Sequence, residues 1–305
     1  MMNARLTKSR TALAGASILG MLLLAGCGDG QIDSAEGGEG AATGDTLAKI
    51  KDEGTVTVGI AGEAPYSFQE GGEPTGGTIA MHEEIFKNLG VDNVEVALVD
   101  WDALIPGLNA GRFDLVSAGM SILPERCEQA AFSDPEIMYT TALMVKEGNP
   151  KGLTDMDSVL KADDVKLAVL SGGIEAGYAD KLGIDNVQSV GNAQDGMDTV
   201  AAGRADAFAM TAISLNWLAD NNPDSGVEVT DAFVANIDGQ EQIGAGGTVF
   251  RKGDTELIDA YNQELGKITE SPETYVDVLG EFGFTEENLP PKDLTTEQLC
   301  AGTAG

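Results

Sequence analysis

The chain is short of positive charge. Its 305 residues hold 18 Lys and Arg against 50 Asp and Glu, a formal net charge of −32. A surface of that sign repels phosphate backbones and anionic lipid head groups, so no nucleic-acid partner is expected and no membrane contact through basic patches. It suits a saline exterior, where salt screens the repulsion between surface acids. Histidine is almost absent. The single one, His82, stands mid-helix in "AMHEEIF" and is expected at the surface. With three cysteines and one histidine there is no metal-ligand cluster, and neither a nucleophile elbow nor a phosphate loop occurs. No metal and no cofactor is expected, and an enzyme would have little beyond Glu63 to use as a general acid or base. Aromatic residues are few, two Trp, five Tyr and nine Phe, so those beside a predicted site carry weight.

What the first 26 residues do contain is Arg5, Lys8 and Arg10, no acid, and then the apolar run "TALAGASILGMLLLAG". A basic segment, a short apolar core and small residues before a cleavage point form an export signal. The run is too short and too glycine-rich for a comfortable membrane span. Its end, "LAGC", resembles the bacterial lipobox. That resemblance implies that Cys27 is lipidated and that acyl chains hold the exported domain at a membrane. An ordinary cleaved signal with a chance cysteine is the alternative. Residues 27–46 are glycine, acid and small side chains, the composition of a flexible tether. If Cys27 carries lipid, Cys127 and Cys300 remain, and an exported chain permits a disulfide between them. Two buried free thiols are the other reading.

From about residue 47 strand and helix patterns alternate. "TVTVGI" (55–60) is a β-branched strand, 77–90 a helix, 94–99 a strand, 101–111 a helix capped by Asp100, and 114–119 a strand. A second series runs over 165–221. The two series echo each other: "LIPGLNAGRFDLVSAGM" (104–120) and "GMDTVAAGRADAFAMTA" (196–212) share helix, Ala-Gly-Arg-x-Asp, strand. The glycine ends the helix and the aspartate opens the strand. This predicts an α/β fold of two similar lobes with largely parallel sheets. The segment 139–149 leaves lobe one, 242–254 returns to it, and a ligand cleft lies between. Lobe one is expected over 47–143 and 246–305, lobe two over 144–245. Open α/β sheets bind ligands at the carboxyl ends of their strands, which here means Gly119–Ser121 and Met210–Thr211.

The order of "GMSILPER" (119–126), "FSDPEIMY" (132–139) and "AVLSGG" (168–173) resembles the solute-binding proteins of ABC importers, in the branch that binds polar amino acids. Within that branch "EAPYSF" (63–68), "ERCEQ" (125–129), "VKEGNPKGL" (145–153) and "LCAG" (299–302) are similar to ectoine- and hydroxyectoine-binding proteins. The resemblance covers nearly everything from 46 to 300. It implies a type II periplasmic-binding-protein-like fold with a two-strand hinge, ABC permease subunits as partners, a monomer, and binding rather than turnover. An enzyme on the same frame is the contrasting class, since dehydratase-like relatives exist, and a signalling receptor subunit is a third.

The resemblance gives Arg126 the ligand carboxylate. The chemistry agrees: a guanidinium presents paired donors in the plane a carboxylate needs and keeps its charge when partly buried. Gly172, Gly173 and Ile174 begin a lobe-two helix and can add backbone N–H groups to the same anion. Amino-acid binders of this branch hold the ligand ammonium with an aspartate after the lobe-two strand. Thr211 stands there instead, which favours a zwitterion with no free ammonium at that point, such as ectoine. Glu63 is expected to accept from a cationic N–H, and Tyr66 and Trp101 to set ring faces against a delocalised cation, worth about 0.5–2 kcal/mol. Ectoine binders carry an aromatic residue five places before the arginine. Here that place is Ser121, beside Gly119, and Phe68 is the residue left to fill the gap.

Overall fold

The computed structural model describes residues 45–237 and 239–303. The expected signal peptide (1–26), the lipidation site Cys27 and the tether up to residue 44 lie outside the described residues. Residues Thr46–Glu53 form a helix that the reading of a tether ending at 46 did not foresee. Its Ile50 is fully buried in the lobe-one core.

Two sheets organise the chain. In the first, the strands lie in the order Asn93–Leu98, Thr55–Ile60, Leu115–Ser121, Ala245–Phe250 and Ala131–Phe132, with Ile137–Met138 also pairing to Ala245–Phe250. In the second the order is Val187–Val190, Leu167–Leu170, Ala207–Thr211, Thr141–Lys146 and Val227–Val229. Each sheet is parallel over its first three strands and antiparallel beyond. The central strands Leu115–Ser121, Leu167–Leu170 and Ala245–Phe250 are buried along their whole length, the pattern of strands covered on both faces. This is the two-lobed α/β architecture of periplasmic binding proteins. The chain passes between the sheets twice, through Tyr139–Thr140 outward and ahead of Ala245 on return. Strand Thr141–Lys146 belongs wholly to the second sheet, so that sheet begins at Thr141 rather than at residue 144.

The repeated Ala-Gly-Arg-x-Asp has a structural cause. Gly111 and Gly203 take left-handed φ values of 70° and 69° just after helices Leu104–Asn109 and Ala193–Ala201. The following aspartates then clamp the neighbouring strand. Asp114 donates its N–H to the Thr57 carbonyl (2.8 Å) and accepts the Thr57 N–H on Oδ2 (3.0 Å). Asp206 treats Lys166 the same way, at 2.8 Å in both directions. One short motif therefore ends a helix and sets the register of a strand in each lobe.

Two local expectations fail. Asp100 precedes a short 3-10 turn, Trp101–Ala103, and makes no side-chain capping bond. His82 is not at the surface: it is fully buried, on the face of helix Gly77–Asn88 that also buries Thr78, Ile79, Met81, Ile85 and Phe86. Its ring lies 3.4 Å from both the Thr248 and the Tyr261 hydroxyls. Tyr261 donates to the buried Glu136 carboxylate (2.8 Å). Burial pushes the His82 pKa down to about 3, so the ring is neutral at physiological pH and belongs to the core.

Candidate functional site

The carboxyl ends of the two central strands, Leu115–Ser121 and Ala207–Thr211, face one another across the lobes. Between them lies a cavity of about 20 Å³. It is lined by Glu63, Tyr66, Trp101, Gly119 and Ser121 from the first lobe and Gly173, Ile174 and Thr211 from the second. The space holds about one water-sized body, so a larger solute enters only when the lobes part. On its outer side a cavity of about 690 Å³ is lined by both lobes, including Trp101, Arg126, Gly172 and Tyr178. Arg126 lines this outer cavity rather than the inner one and stands at the partition between them.

Each side chain is set by local backbone. Arg126 lies in the short helix Pro124–Cys127, opened by a proline after extended Leu123. Its guanidinium donates to the Ser121 carbonyl at 3.0 Å and to the Gly172 carbonyl of the other lobe at 2.7 Å. It also sits 5.9 Å from the centre of the Trp101 ring. Burial pushes its pKa down, though a guanidinium has ample reserve to stay charged. Trp101 Nε1 donates to the same Gly172 carbonyl at 3.1 Å, so this left-handed glycine (φ 74°) receives two lobe-one donors. A disulfide between Cys127 and Cys300 joins the Arg126 turn to helix Thr296–Ala301, with Cα atoms 5.7 Å apart.

Glu63 is buried and accepts from the Ser214 hydroxyl at 2.7 Å, with the Thr211 hydroxyl at 3.4 Å. Burial raises its pKa to about 8. Thr211 occupies the N-cap place of helix Ala212–Asn221 but makes no capping bond; its side chain turns to Glu63 instead.

The ring expected from Phe68 comes from elsewhere. Phe68 packs against Trp217, ring centres 5.7 Å apart, and does not line the inner cavity. Tyr139, at the crossing between the sheets, does line it. Its hydroxyl donates to Ser121 Oγ, and its ring meets Tyr66 edge-on at 6.4 Å. The small side chain at Ser121 thus leaves room for a tyrosine brought in by the crossing between the sheets. Three glycines make the same allowance. A Cβ at Gly244 would lie 2.7 Å from the Tyr139 ring, one at Gly246 3.2 Å from it, and one at Gly119 2.5 Å from the Tyr66 ring. Gly119 also has φ 54°. Gly119→Ala should therefore displace the Tyr66 ring, destabilise the fold by about 1–3 kcal/mol and weaken solute binding. Thermal unfolding and ligand titration of the variant check both effects, and a variant as stable and as tight-binding as its parent refutes them.

A further residue corrects the chemistry expected of lobe two. That lobe does supply an acid, though not after its central strand. Glu175, in the first turn of helix Ile174–Leu182, is buried and lines the inner cavity. Burial raises its pKa to about 7. In sequence it reads as a routine acid at a helix N-terminus; only the packing of the two lobes turns it inward.

Comparisons with known proteins agree with this architecture. The family described as bacterial extracellular solute-binding proteins, family 3, matches residues 56–276. A probable amino-acid ABC transporter periplasmic-binding protein, y4tE of Sinorhizobium fredii, is 32% identical over 84% of this chain and 86% of its own length. Among solved structures, EhuB in complex with hydroxyectoine superposes with a TM-score of 0.75 at 34% identity, covering 84% of this chain and 98% of that one. An ancestral amino acid-binding protein, AncCDT-1, described as a precursor of cyclohexadienyl dehydratase, gives 0.67 at 30% identity over 78% of this chain and 98% of its own.

Proposed function

Because the chain belongs to family 3 of the bacterial extracellular solute-binding proteins, we propose that it captures a small zwitterionic compatible solute, ectoine or hydroxyectoine, for an ABC importer. The observation that carries this reading is the inner cavity. It brings Glu63, Tyr66 and Trp101 of one lobe to Gly173, Ile174 and Thr211 of the other, with Arg126 at its border. In the bound form the guanidinium takes the carboxylate. The cyclic amidinium lies against the rings of Tyr66, Trp101 and Tyr139 with its N–H groups toward Glu63. The second lobe adds the contacts that favour closure, since a ligand shifts the equilibrium only by what it gains in the closed form. The similarity to EhuB supports this solute class.

A polar amino acid is the second reading. Glu175 favours it, because a lobe-two carboxylate can meet an ammonium that Thr211 cannot, and the name of the Sinorhizobium relative points the same way. The remaining proposals follow the sequence: a lipid anchor at Cys27, a monomer working with permease subunits, and no turnover. An extracytoplasmic setting follows from the family, and among the described residues no helix is long and apolar enough to cross a membrane. Calorimetric titration with ectoine, hydroxyectoine, glycine betaine, glutamine and arginine decides the solute. Ectoine and hydroxyectoine are expected to bind tightest. Tight binding of glutamine or arginine with silence toward ectoine would reject the preferred solute.

A further inference from the structure

We propose that Glu63 and Glu175 act together as a two-sided cation latch, one carboxylate from each lobe closing on the N–H-bearing cationic part of the solute and giving up protons as it binds. The inference rests on the solute-binding reading and adds the group that reads the ligand nitrogen from lobe two. Both carboxylates line the inner cavity, and both are more than nine-tenths buried, at 6% and 3% exposure. Glu63 Oε1 is satisfied by the Ser214 and Thr211 hydroxyls. Glu175 Oε1 has no hydrogen-bond partner, and neither has the buried Tyr66 hydroxyl that lines the same space. Two orphaned polar groups aimed into one cavity mark a place where a polar ligand atom is wanted.

The charges around the pair sharpen the class of ligand. Arg126 is the cation nearest to Glu175 in effect, yet its bonds go to the carbonyls of Ser121 and Gly172, and among the described residues it forms no ion pair with either acid. The other groups facing the pair are neutral: Tyr66, Tyr139, Tyr178, Thr141, Thr211 and Ser214. Two ionised carboxylates in one dry cavity are costly without a counter-charge, and repulsion from Glu175 adds to burial in strengthening Glu63's hold on its proton. Burial and repulsion from Glu175 raise the Glu63 pKa to about 8, and burial raises that of Glu175 to about 7. A cation with N–H groups on two sides, an amidinium, a guanidinium or an ammonium, replaces the protons and satisfies both acids. Because the acids sit on opposite lobes, that exchange is complete only when the lobes are together. A carboxylate alone would reach Arg126 and leave the latch protonated.

The sign follows directly. Cation binding lowers both pKa values, so protons leave for the buffer and affinity rises with pH through the window where the free acids titrate, flattening above it. Calorimetry of the mature chain in phosphate and in Tris, with ectoine and with L-arginine as probes, reads the proton count from the difference in heats. The parent protein should release about one proton near pH 7 and bind more tightly at about pH 8.5 than at about pH 6. Glu175→Gln should bind at least about tenfold more weakly, with a flatter pH profile and fewer protons released. Glu175→Asp should restore part of the loss. Arginine binding with proton release, and silence toward ectoine, would reject the solute proposed above and keep the latch. Ectoine binding that ignores both pH and Glu175→Gln would keep the solute and overturn the latch. Silence of the parent protein toward both probes would overturn it as well, since the cationic class itself would then be wrong.

Discussion

Arg126→Ala is expected to bind solute at least about thirtyfold more weakly than the parent chain while remaining folded. Removing one partner of a buried charged contact costs about 2–5 kcal/mol, which spans roughly thirtyfold to several thousandfold in affinity. The guanidinium is the cation at the cavity border, and its two bonds to carbonyls leave further N–H groups for a carboxylate. Its loss also releases the Gly172 carbonyl, which keeps the Trp101 indole as a donor, so the turn that begins the lobe-two helix is retained. Arg126→Lys should rescue little, because a single ammonium cannot span two oxygens in one plane. Titration calorimetry beside a thermal unfolding curve separates loss of binding from loss of fold. An alanine variant with parental affinity would show that the arginine is structural only.

Opening the disulfide should destabilise the domain strongly. Cys127 and Cys300 are 173 residues apart, so the bond closes a long loop in the unfolded chain. Losing such a bond typically costs about 2–5 kcal/mol. Cys127→Ser with Cys300→Ser should lower the unfolding free energy by that amount and move the denaturant midpoint down accordingly. Affinity should fall as well, because Cys127 directly follows Arg126 and the bond anchors that turn to helix Thr296–Ala301. Guanidinium unfolding with and without reductant, together with solute titration, tests both parts. A double variant with unchanged midpoint would leave the bond without a stabilising role.

The lobes were legible because their signals are local. Strand Thr55–Ile60 is a β-branched run, and Gly111 and Gly203 each close a helix before an aspartate that starts the next strand. Residues 119–121 pointed to the cleft because they end a strand of an open α/β sheet, and Gly173 because a glycine at a helix start lets a ligand approach the backbone. Tyr139 and Glu175 escaped because nothing local distinguishes them. Tyr139 reads as the first residues of a strand, and it becomes a cavity wall only because the chain changes sheets there. Glu175 reads as an ordinary acid at a helix start. His82 belongs with them: mid-helix beside Glu83 and Glu84, nothing local marks it as buried, yet its ring packs against Phe86 and Tyr261.

The order in which the chain is made has a consequence for the two sheets. Strands of the second sheet run from Thr141 to Val229 without interruption, so every hydrogen-bonded pair in it is available before Ala245–Phe250 emerges. The first sheet cannot be finished so early. Its strand Leu115–Ser121 has an open edge until Ala245–Phe250 arrives, and the link to Cys300 comes later still. During export the leading lobe is therefore the later one to mature, and its unpaired edge is the part of the nascent molecule most in need of protection from other chains.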